Sequence, residues 1–252
     1  MLTQQRKKHI LSILRRDGRV VARSVAVDLD ISEDTIRRDL RDLARDGLLQ
    51  RVHGGALPAS PAVQNLEKRQ AVSTAEKTAI GRAAAAMIRS GQVAFIDGGT
   101  TAVQLARQID PGLRATLVTH SPLVAAELAD HAAEVILIGG RLFRHSMVAT
   151  GTLAMEAIAR IRADLFFLGV TGIHPETGLT TGDAEEAAIK RALIAAAAET
   201  VVLASPEKLG AASPFLIAPV TAIATILTTS DVAPEELRVY ERLGATVARA
   251  PA

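Results

Sequence analysis

Four arginines lie within one stretch whose spacing predicts a helix over residues 33–46: Arg37, Arg38, Arg41 and Arg45. At about 100° per residue, they fall within an arc of about 100° on one side of that helix. Ile36, Leu40 and Leu43 fall within an arc of about 60° on the opposite side. Guanidinium groups bond bidentately to guanine edges or phosphate oxygens, so the cationic face suits DNA. A simply solvated helix also carries arginines, and the face alone leaves both interpretations open.

Two further helices are predicted before this one, over residues 2–16 and 22–29. A tight turn separates the second from the third, and Ser32 stands where an N-cap is expected. Gly47 ends the third helix, and residues 48–55 are predicted to form a small hairpin, or wing. This order of elements predicts a winged helix-turn-helix DNA-binding domain over residues 1–57.

The candidate DNA contacts come from the third helix and the wing. Arg51 and His53, on the wing, are placed to meet the DNA backbone or the minor groove. His53 is equally well explained as a turn residue with no partner. The complete set of predicted DNA-binding residues is Ser32, Thr35, Arg37, Arg38, Arg41, Arg45, Arg51 and His53.

A second group of residues suited to binding follows a predicted strand over residues 93–96. The sequence Gly98-Gly99-Thr100-Thr101 joins that strand to a predicted helix, whose N-terminal N–H groups and dipole favour an anion. Many strand-to-helix turns contain glycine and threonine without binding anything, so the motif alone is weak. It is neither a P-loop nor a dinucleotide fingerprint, because the spacing of both motifs is missing.

Other predicted strand ends carry similar small, hydroxyl-bearing or cationic groups, which together suit a phosphorylated polyol. Ligands of parallel sheets bind beyond the carboxyl ends of the strands. Glu186 and Lys190 are four residues apart on one predicted helix, and a surface ion pair is the simpler explanation of that spacing taken alone. The complete set of predicted effector-binding residues is Asp97, Gly98, Gly99, Thr100, Thr101, Thr119, His120, Gly140, Arg141, Arg144, Gly172, Glu186, Lys190 and Lys208.

These residues are positioned by short apolar strands that alternate with helices. Strands are predicted over residues 93–96, 115–119, 134–138, 165–170, 201–204 and 222–227. Helices are predicted over residues 75–90, 123–130 and 183–198 and from the glycine turn through 109. The alternation predicts an α/β domain over residues 74–252, with a mostly parallel sheet covered on both faces. Residues 58–73, which include Pro58 and Pro61 among small and polar residues, are predicted to be a linker.

The composition agrees with two parts of different character. Of the 252 residues, 48% are hydrophobic and only 2% aromatic, so aliphatic side chains must form the core. Residues 1–57 hold twelve Lys and Arg against eight Asp and Glu, whereas the rest holds seventeen against nineteen. A polyanionic partner is therefore favoured for the first part only. Without cysteine, signal sequence or long apolar stretch, the chain is expected to be cytoplasmic.

Several motifs resemble the DeoR family of bacterial regulators. They are residues 32–40 (SEDTIRRDL), Gly47, residues 52–56 (VHGGA), residues 97–101 (DGGTT), Gly139-Gly140, residues 178–180 (GLT) and residues 186–191 (EAAIKR). The resemblance implies that TIRRDL lies on the recognition helix and that HGGA closes the wing. It also implies a sensor domain similar in fold to ribose-5-phosphate isomerase and responsive to sugar phosphates or related intermediates. Residues 98–101 would then hold the phosphate, with Lys190 and Lys208 approaching the ligand.

One stretch departs from that family pattern. The family usually has Asp-Ser-Ser-Lys where this chain has Ser205-Pro206-Glu207-Lys208. The lysine is kept, but a carboxylate that could hold sugar hydroxyls is replaced by Ser205. Thr229-Ser230 likewise stands where a Thr-Asp pair is common. The identity of the effector therefore cannot be copied from a relative.

A sugar-phosphate isomerase-like enzyme carrying a DNA-binding appendage is the alternative. Asp97, Glu186, Lys190 and Lys208 could supply its base and cations, but the further acidic cluster of the isomerases is not found. The six histidines form no metal-ligand pair at helical spacing. We therefore expect a repressor of a carbohydrate or polyol operon, without enzymatic activity, metal or cofactor. As a homodimer or homotetramer it would bind operator DNA under control of a small phosphorylated metabolite.

Overall fold

The computed structural model describes residues 2–60, 69 and 71–251, which begin with three helices and a small sheet. The helices are α1 (Thr3–Asp17), α2 (Ala22–Asp28) and α3 (Glu33–Arg45). The strands are β1 (Val20–Val21), β2 (Gln50–Val52) and β3 (Gly55–Leu57). β2 and β3 pair antiparallel as the wing, and β1 pairs with the other side of β3. The expected winged helix-turn-helix is confirmed.

The apolar spacing in the sequence explains how these helices pack. Ile10, Ile36 and Leu40 are buried together at the centre of this part. The Ser32 hydroxyl accepts the backbone N–H of Thr35, which fixes the start of α3. Strand β1 was not predicted. It approaches β3 closely because Gly55 has no side chain: a Cβ there would lie 1.8 Å from the carbonyl oxygen of Val20.

The second part alternates strands and helices, as predicted. In chain order its elements are α4 (Thr74–Ala85), β4 (Val93–Ile96), α5 (Thr100–Gln108), β5 (Thr116–Thr119), α6 (Pro122–Glu127), β6 (Glu134–Leu137), β7 (Arg141–Phe143), β8 (Val148–Thr150), α7 (Thr152–Ala159), β9 (Ala163–Gly169), β10 (Gly172–His174), β11 (Gly178–Thr181), α8 (Ala184–Ala196), β12 (Ala197–Leu203), β13 (Phe215–Ala218), β14 (Thr225–Thr229), α9 (Pro234–Arg242) and β15 (Thr246–Ala250). Short 3₁₀ turns cover Pro206–Lys208 and Val220–Ala222.

Seven of these strands form one sheet in the order β15-β14-β12-β9-β4-β5-β6, and every neighbouring pair is parallel. Both faces are covered: Phe95 and Phe166 belong to one buried cluster, and Ile96 and Phe167 to another. Phe95 and Phe166 meet edge to face, with ring centroids 6.3 Å apart. The predicted α/β fold class is therefore confirmed. The parallel strands align their carboxyl ends along one edge of the sheet.

Some elements differ from the expectation. The hairpin β7-β8, the antiparallel sheet β10-β11-β13 and the final α9 and β15 were not predicted. The predicted helix 75–90 ends at Ala85, and the predicted strand 201–204 begins at Ala197, directly after α8. The alanine-rich end of α8 has no apolar periodicity that separates helix from strand. The predicted strand 222–227 runs instead over Thr225–Thr229, because Thr228 and Thr229 are buried in the sheet.

The predicted linker over residues 58–73 includes positions outside the described residues, Pro61 among them. Its described beginning lies against the second part: the N–H of Ala212 donates to the Pro58 carbonyl at 3.3 Å, and Ala59 forms a bridge with Ala212. Among the described residues, no helix combines the length and the apolar character that crossing a membrane requires.

Candidate DNA interface and effector pocket

The outer face of α3 presents the arginines that the sequence placed there. Arg37, Arg38, Arg41 and Arg45 are all exposed. Arg37 pairs with Glu33 at 2.7 Å, and Arg45 approaches Asp42 at 3.4 Å. The side chains of Arg38 and Arg41 make no hydrogen bond or ion pair with any other residue that the structure describes. Their guanidinium donors are therefore available to a ligand outside the chain.

A cleft between α3 and the wing brings residues from both elements together. Arg37, Arg51, His53 and Gly54 line it, and the two wing side chains are exposed. The hydroxyls of Ser32 and Thr35 lie 2.9 Å apart at the start of α3. Their described role is to begin the helix, and a contact of either with DNA stays a prediction.

Two ion pairs fix α3 to α1, and sequence spacing did not reveal them. Arg6 donates from two nitrogens to the carboxylate of Asp39, which is only 2% exposed. Lys7 pairs with Asp42 at 2.7 Å. Both acidic residues belong to the same helix as the arginine face. The arginine face is thereby held in a fixed orientation on the first helix.

A pocket of about 40 Å³ lies at the carboxyl edge of the parallel sheet. About 10–15 Å³ of such space admits one water, so this volume suits a group of the size of a phosphate. The described residues that line it are Arg69, Val72, Lys77, Gly98, Gly99, Thr100, Thr101, Ser146, Gly169, Val170, Thr171, Thr181, Glu186, Lys190, Glu207 and Lys208. Four cationic side chains thus face two carboxylates, which favours an anion.

The glycine turn between β4 and α5 forms one wall. Gly98 has no room for a side chain, because a Cβ there would lie 2.1 Å from Val148. Gly99 adopts a φ of +100°, a conformation that side chains rarely allow. The turn leads directly into Thr100 and Thr101 at the first turn of α5. Backbone N–H groups at such a helix start lack partners within the helix and suit an anion.

Asp97 and His120 lie behind this wall and do not line the pocket. The Asp97 carboxylate is fully buried and accepts the N–H groups of Gly98 and Gly169 and the Nε2 of His120, each at 2.8 Å. Lys190 donates to the same carboxylate. Burial acts to raise the pKa of Asp97, but the Lys190 charge and the His120 hydrogen bond outweigh it and hold the pKa well below its usual range. Asp97 therefore organises the pocket from underneath.

Glu186 and Lys190 are both buried, so the alternative of a surface pair between them is wrong. Glu186 accepts the hydroxyl of Thr181 at 2.8 Å, whereas Lys190 pairs with Asp97 and donates to the Gly169 carbonyl at 2.9 Å. Both side chains line the pocket, and their binding of an effector stays a prediction.

Lys208 is the least satisfied cation of the pocket. Its ammonium lies 3.5 Å from the Thr101 hydroxyl and 3.4 Å from the Leu203 carbonyl, both long contacts. Burial lowers the pKa of Lys208 to about 8, although the charge of Glu207 opposes the shift. An anion beside this lysine would favour its charged form.

The pocket has a carboxylate on this stretch even though Ser205 stands where the family usually has aspartate. Glu207, two residues on, lines the pocket. Its two oxygens accept the hydroxyls of Ser205 at 2.6 Å and of Ser73 at 2.9 Å. Burial raises the pKa of Glu207, but these hydrogen bonds and the Lys208 charge lower it further than burial raises it. The carboxylate is therefore held, ionised, by the residue that replaces the usual aspartate.

Five other predicted effector residues lie outside the lining. Thr119 is buried and accepts the Ser121 N–H. Gly140 lies against Thr150, Arg144 is exposed on the β7-β8 turn, and Gly172 packs against Ala211. Arg141, also exposed, pairs with Glu185. None of these five residues lines the pocket.

Three charged lining residues escaped the sequence prediction: Arg69, Lys77 and Glu207. Arg69 stands in the predicted linker, and Lys77 stands on α4, where it resembles a solvent-facing lysine. Glu207 belongs to the stretch that departs from the family pattern, so the resemblance assigned it no role. The one available signal was that Glu207 precedes Lys208 at a strand end.

Comparison with known proteins matches one domain family to each of two parts of the chain. The DeoR-like helix-turn-helix domain matches residues 6–62, and the DeoR C terminal sensor domain matches residues 72–230. A DNA-binding module followed by a sensor module defines a transcriptional regulator.

Several curated relatives align over most of their length. The HTH-type transcriptional regulator GlpR of Haloferax volcanii is 35% identical over 250 residues, 98% of each chain. The glycerol-3-phosphate regulon repressor of Escherichia coli K12 is 32% identical and covers 83% of this chain and 84% of its own. The HTH-type transcriptional repressor GlcR of Bacillus subtilis is 30% identical, with coverages of 90% and 89%. This chain belongs to the DeoR family of DNA-binding transcriptional regulators, and the expectation of a non-enzyme is confirmed by these relatives.

Similar solved structures are more distant. Ribose 5-phosphate isomerase A from Methanocaldococcus jannaschii has a TM-score of 0.39 at 16% identity, over 52% of each chain. The full-length sorbitol operon regulator SorC from Klebsiella pneumoniae has a TM-score of 0.35 at 13% identity, over 82% of this chain and 90% of its own.

Proposed function

We propose that this chain represses genes of carbohydrate or polyol catabolism in the cytoplasm and that a small phosphorylated metabolite controls its affinity for operator DNA. This proposal rests mainly on the pocket at the sheet edge, where a glycine turn and a helix N-terminus face four cationic side chains. The names of relatives support this chemistry, since one is a glycerol-3-phosphate regulon repressor.

The DNA contact is assigned to the exposed face of α3 and to the wing. The guanidinium groups of Arg38 and Arg41 make no hydrogen bond to any described residue, and Arg37 shares a cleft with Arg51 and His53. Arginines on α3 would meet base edges or phosphates in the major groove while the wing meets the neighbouring backbone. A homodimer or homotetramer would place two such modules on paired half-sites.

A thermal-shift screen tests the effector half. The full chain is heated with phosphorylated sugars and polyols, each beside its unphosphorylated parent. A compound that binds only the folded chain raises the melting temperature. We expect stabilisation by phosphorylated compounds alone. A parent sugar that stabilises the chain as strongly as its phosphate would contradict an anion site.

A selection from random duplex DNA tests the other half and supplies an operator. Arg38→Ala should then weaken operator binding by about tenfold, the loss of one or two charge-assisted bonds, without changing effector binding. Thr100→Ala should weaken effector binding without changing operator binding. Arg114→Ala, an exposed sensor-domain arginine with no described side-chain partner, is the control of equal charge change. Operator binding by Arg38→Ala at wild-type strength would remove that residue from the interface.

A further inference from the structure

The segment that joins the wing to the sensor domain touches the pocket at both of its described ends. At the first end, the Ser60 hydroxyl donates to the carbonyl of Thr171, and Thr171 lines the pocket. At the second end, Arg69 and Val72 are themselves lining residues. Both described ends of this segment therefore lie against the wall of the pocket.

Arg69 is a buried guanidinium with an open donor. The residue is 8% exposed, and its Nη2 donates to the carbonyl of His145 at 2.7 Å. Its Nε is buried without a hydrogen-bond partner among the described residues, and no carboxylate there forms an ion pair with it. Burial lowers the pKa of Arg69, with the charge of Glu186 opposing it. A buried cation in this condition is strongly stabilised by an anion that bonds to it.

Two of the other cations of the pocket, Lys77 and Lys190, are more fully used. Lys77 donates to the carbonyls of Arg69, at 2.6 Å, and of Val72. Lys190 donates to Asp97 and to Gly169. Lys77 therefore ties the main chain around Arg69 to α4, while the Arg69 side chain keeps its free donor. α4 also reaches α5, since the Thr78 hydroxyl lies 3.4 Å from the Gln104 side-chain oxygen.

We propose that Arg69 binds the phosphate group in the pocket and that this contact transmits occupancy to the DNA-binding module through its own segment. The proposal rests on the function assigned to the pocket and adds a ligand residue and a route. An anion bonded to Nε favours the arrangement in which Arg69 lies on the pocket wall. Ligand affinity and the position of the wing are thereby coupled.

Calorimetric titration of the full chain with inorganic phosphate, at constant ionic strength, tests the contact. Arg69→Ala should weaken phosphate binding by about tenfold or more, and Arg69→Lys, which keeps the charge, by less. The control Arg114→Ala should bind as the wild type does. Circular dichroism melting of each variant identifies loss of folding, and Arg69→Lys carries the test if Arg69→Ala does not fold.

Two negative results have different meanings. If the wild type binds phosphate and Arg69→Ala binds it within about twofold, the contact is overturned while the pocket's function survives. If the wild type binds neither inorganic phosphate nor any phosphate ester, the proposed function of the pocket fails as well.

The variant Ser60→Ala tests whether the joining segment transmits occupancy of the pocket to the DNA-binding module. Operator affinity is measured with and without saturating inorganic phosphate, on the DNA obtained by selection. Ser60→Ala should bind phosphate as the wild type does, yet the phosphate-dependent change in operator affinity should shrink by about threefold or more, because one anchor of the segment is gone. Ser90→Ala, an exposed serine, is the matched control. An unchanged response in Ser60→Ala would overturn transmission through this segment.

Discussion

At the scale of single residues, Asp97 organises the pocket without lining it. Its carboxylate joins the glycine turn, β9, His120 and Lys190 into one hydrogen-bonded group. Burial without these partners would favour the protonated acid. The arrangement therefore depends on each partner, and the carboxylate in turn is the ion-pair partner of the buried Lys190.

Asp97→Asn should strongly destabilise the fold. The substitution keeps the size of the side chain but leaves the buried Lys190 ammonium without its counter-charge. Breaking such a buried pair by removing one partner costs about 3–5 kcal/mol of unfolding free energy. Urea unfolding measures the loss. Asp130→Asn, an exposed acid in the same domain, should change stability by less than about 0.5 kcal/mol. Equal effects of the two variants would contradict the assigned role.

The pH dependence of effector binding should report Lys208. Its pKa of about 8 results first from burial, with Glu207 raising it and Lys77, Arg69 and Lys190 lowering it further. A phosphate ester is dianionic above about pH 7, so its charge is constant there. Binding to the protonated lysine should then weaken as pH rises through 8, by about tenfold per unit above it.

Calorimetry between pH 7 and 9.5 measures this dependence with the phosphate ester found in the screen. Lys208→Arg is the control, because a guanidinium keeps its charge across that range. The affinity of that variant should stay flat. A flat profile in the wild type would show that Lys208 does not bind the ligand in its charged form.

At the scale of elements, the position of α3 depends on its pairs with α1. Arg6 and Asp39 are both largely shielded from water, whereas Lys7 and Asp42 are about a quarter to a third exposed. Because the two ion pairs join the same helices, we expect the more buried pair to contribute more to the free energy of unfolding than the more exposed one.

Arg6→Ala should therefore destabilise the DNA-binding module and weaken operator binding, since it leaves the Asp39 carboxylate buried and unpaired. The expected loss in unfolding free energy is about 3 kcal/mol. Lys7→Ala, which breaks the more exposed pair, should cost less than about 1 kcal/mol. Urea unfolding and operator affinity are measured for both. A loss in Lys7→Ala as large as that in Arg6→Ala would show that burial does not set the difference.

Elements with a strong local pattern were predictable from sequence. Helix α3 has a capping serine, one apolar face and a cationic face, and its start was placed at the correct residue. The parallel strands have apolar runs between turns, so their alternation with helices indicated the sheet. Strands β10, β11 and β13 are three or four residues long, and β13 pairs with a strand more than thirty positions away. Such short strands have no pattern of their own and depend on tertiary pairing.

The pocket was predictable where it depends on sheet topology. The glycine turn and Lys208 follow strands whose carboxyl ends meet at one edge, and both line the pocket. Arg69 and Lys77 come from outside the sheet, and their burial depends on how the joining segment and α4 pack. Arg141 and Gly172 also follow strands of the parallel sheet. Arg141 lies instead in the unpredicted β7-β8 hairpin, and Gly172 lies in the small antiparallel sheet.

At the scale of the whole molecule, a basic module is joined to a slightly acidic one by a segment that contacts the pocket. If the effector changes operator affinity by some factor, thermodynamic linkage requires operator DNA to change effector affinity by the same factor. This expectation holds whether the effector releases DNA or strengthens its binding. Calorimetric titration of the effector into the free chain and into the operator complex measures the second factor, and operator titrations with and without effector measure the first. Equal factors that differ from one in the wild type, both closer to one in Ser60→Ala, would place the coupling in the joining segment. A factor of one on both sides would mean that pocket and DNA face act independently.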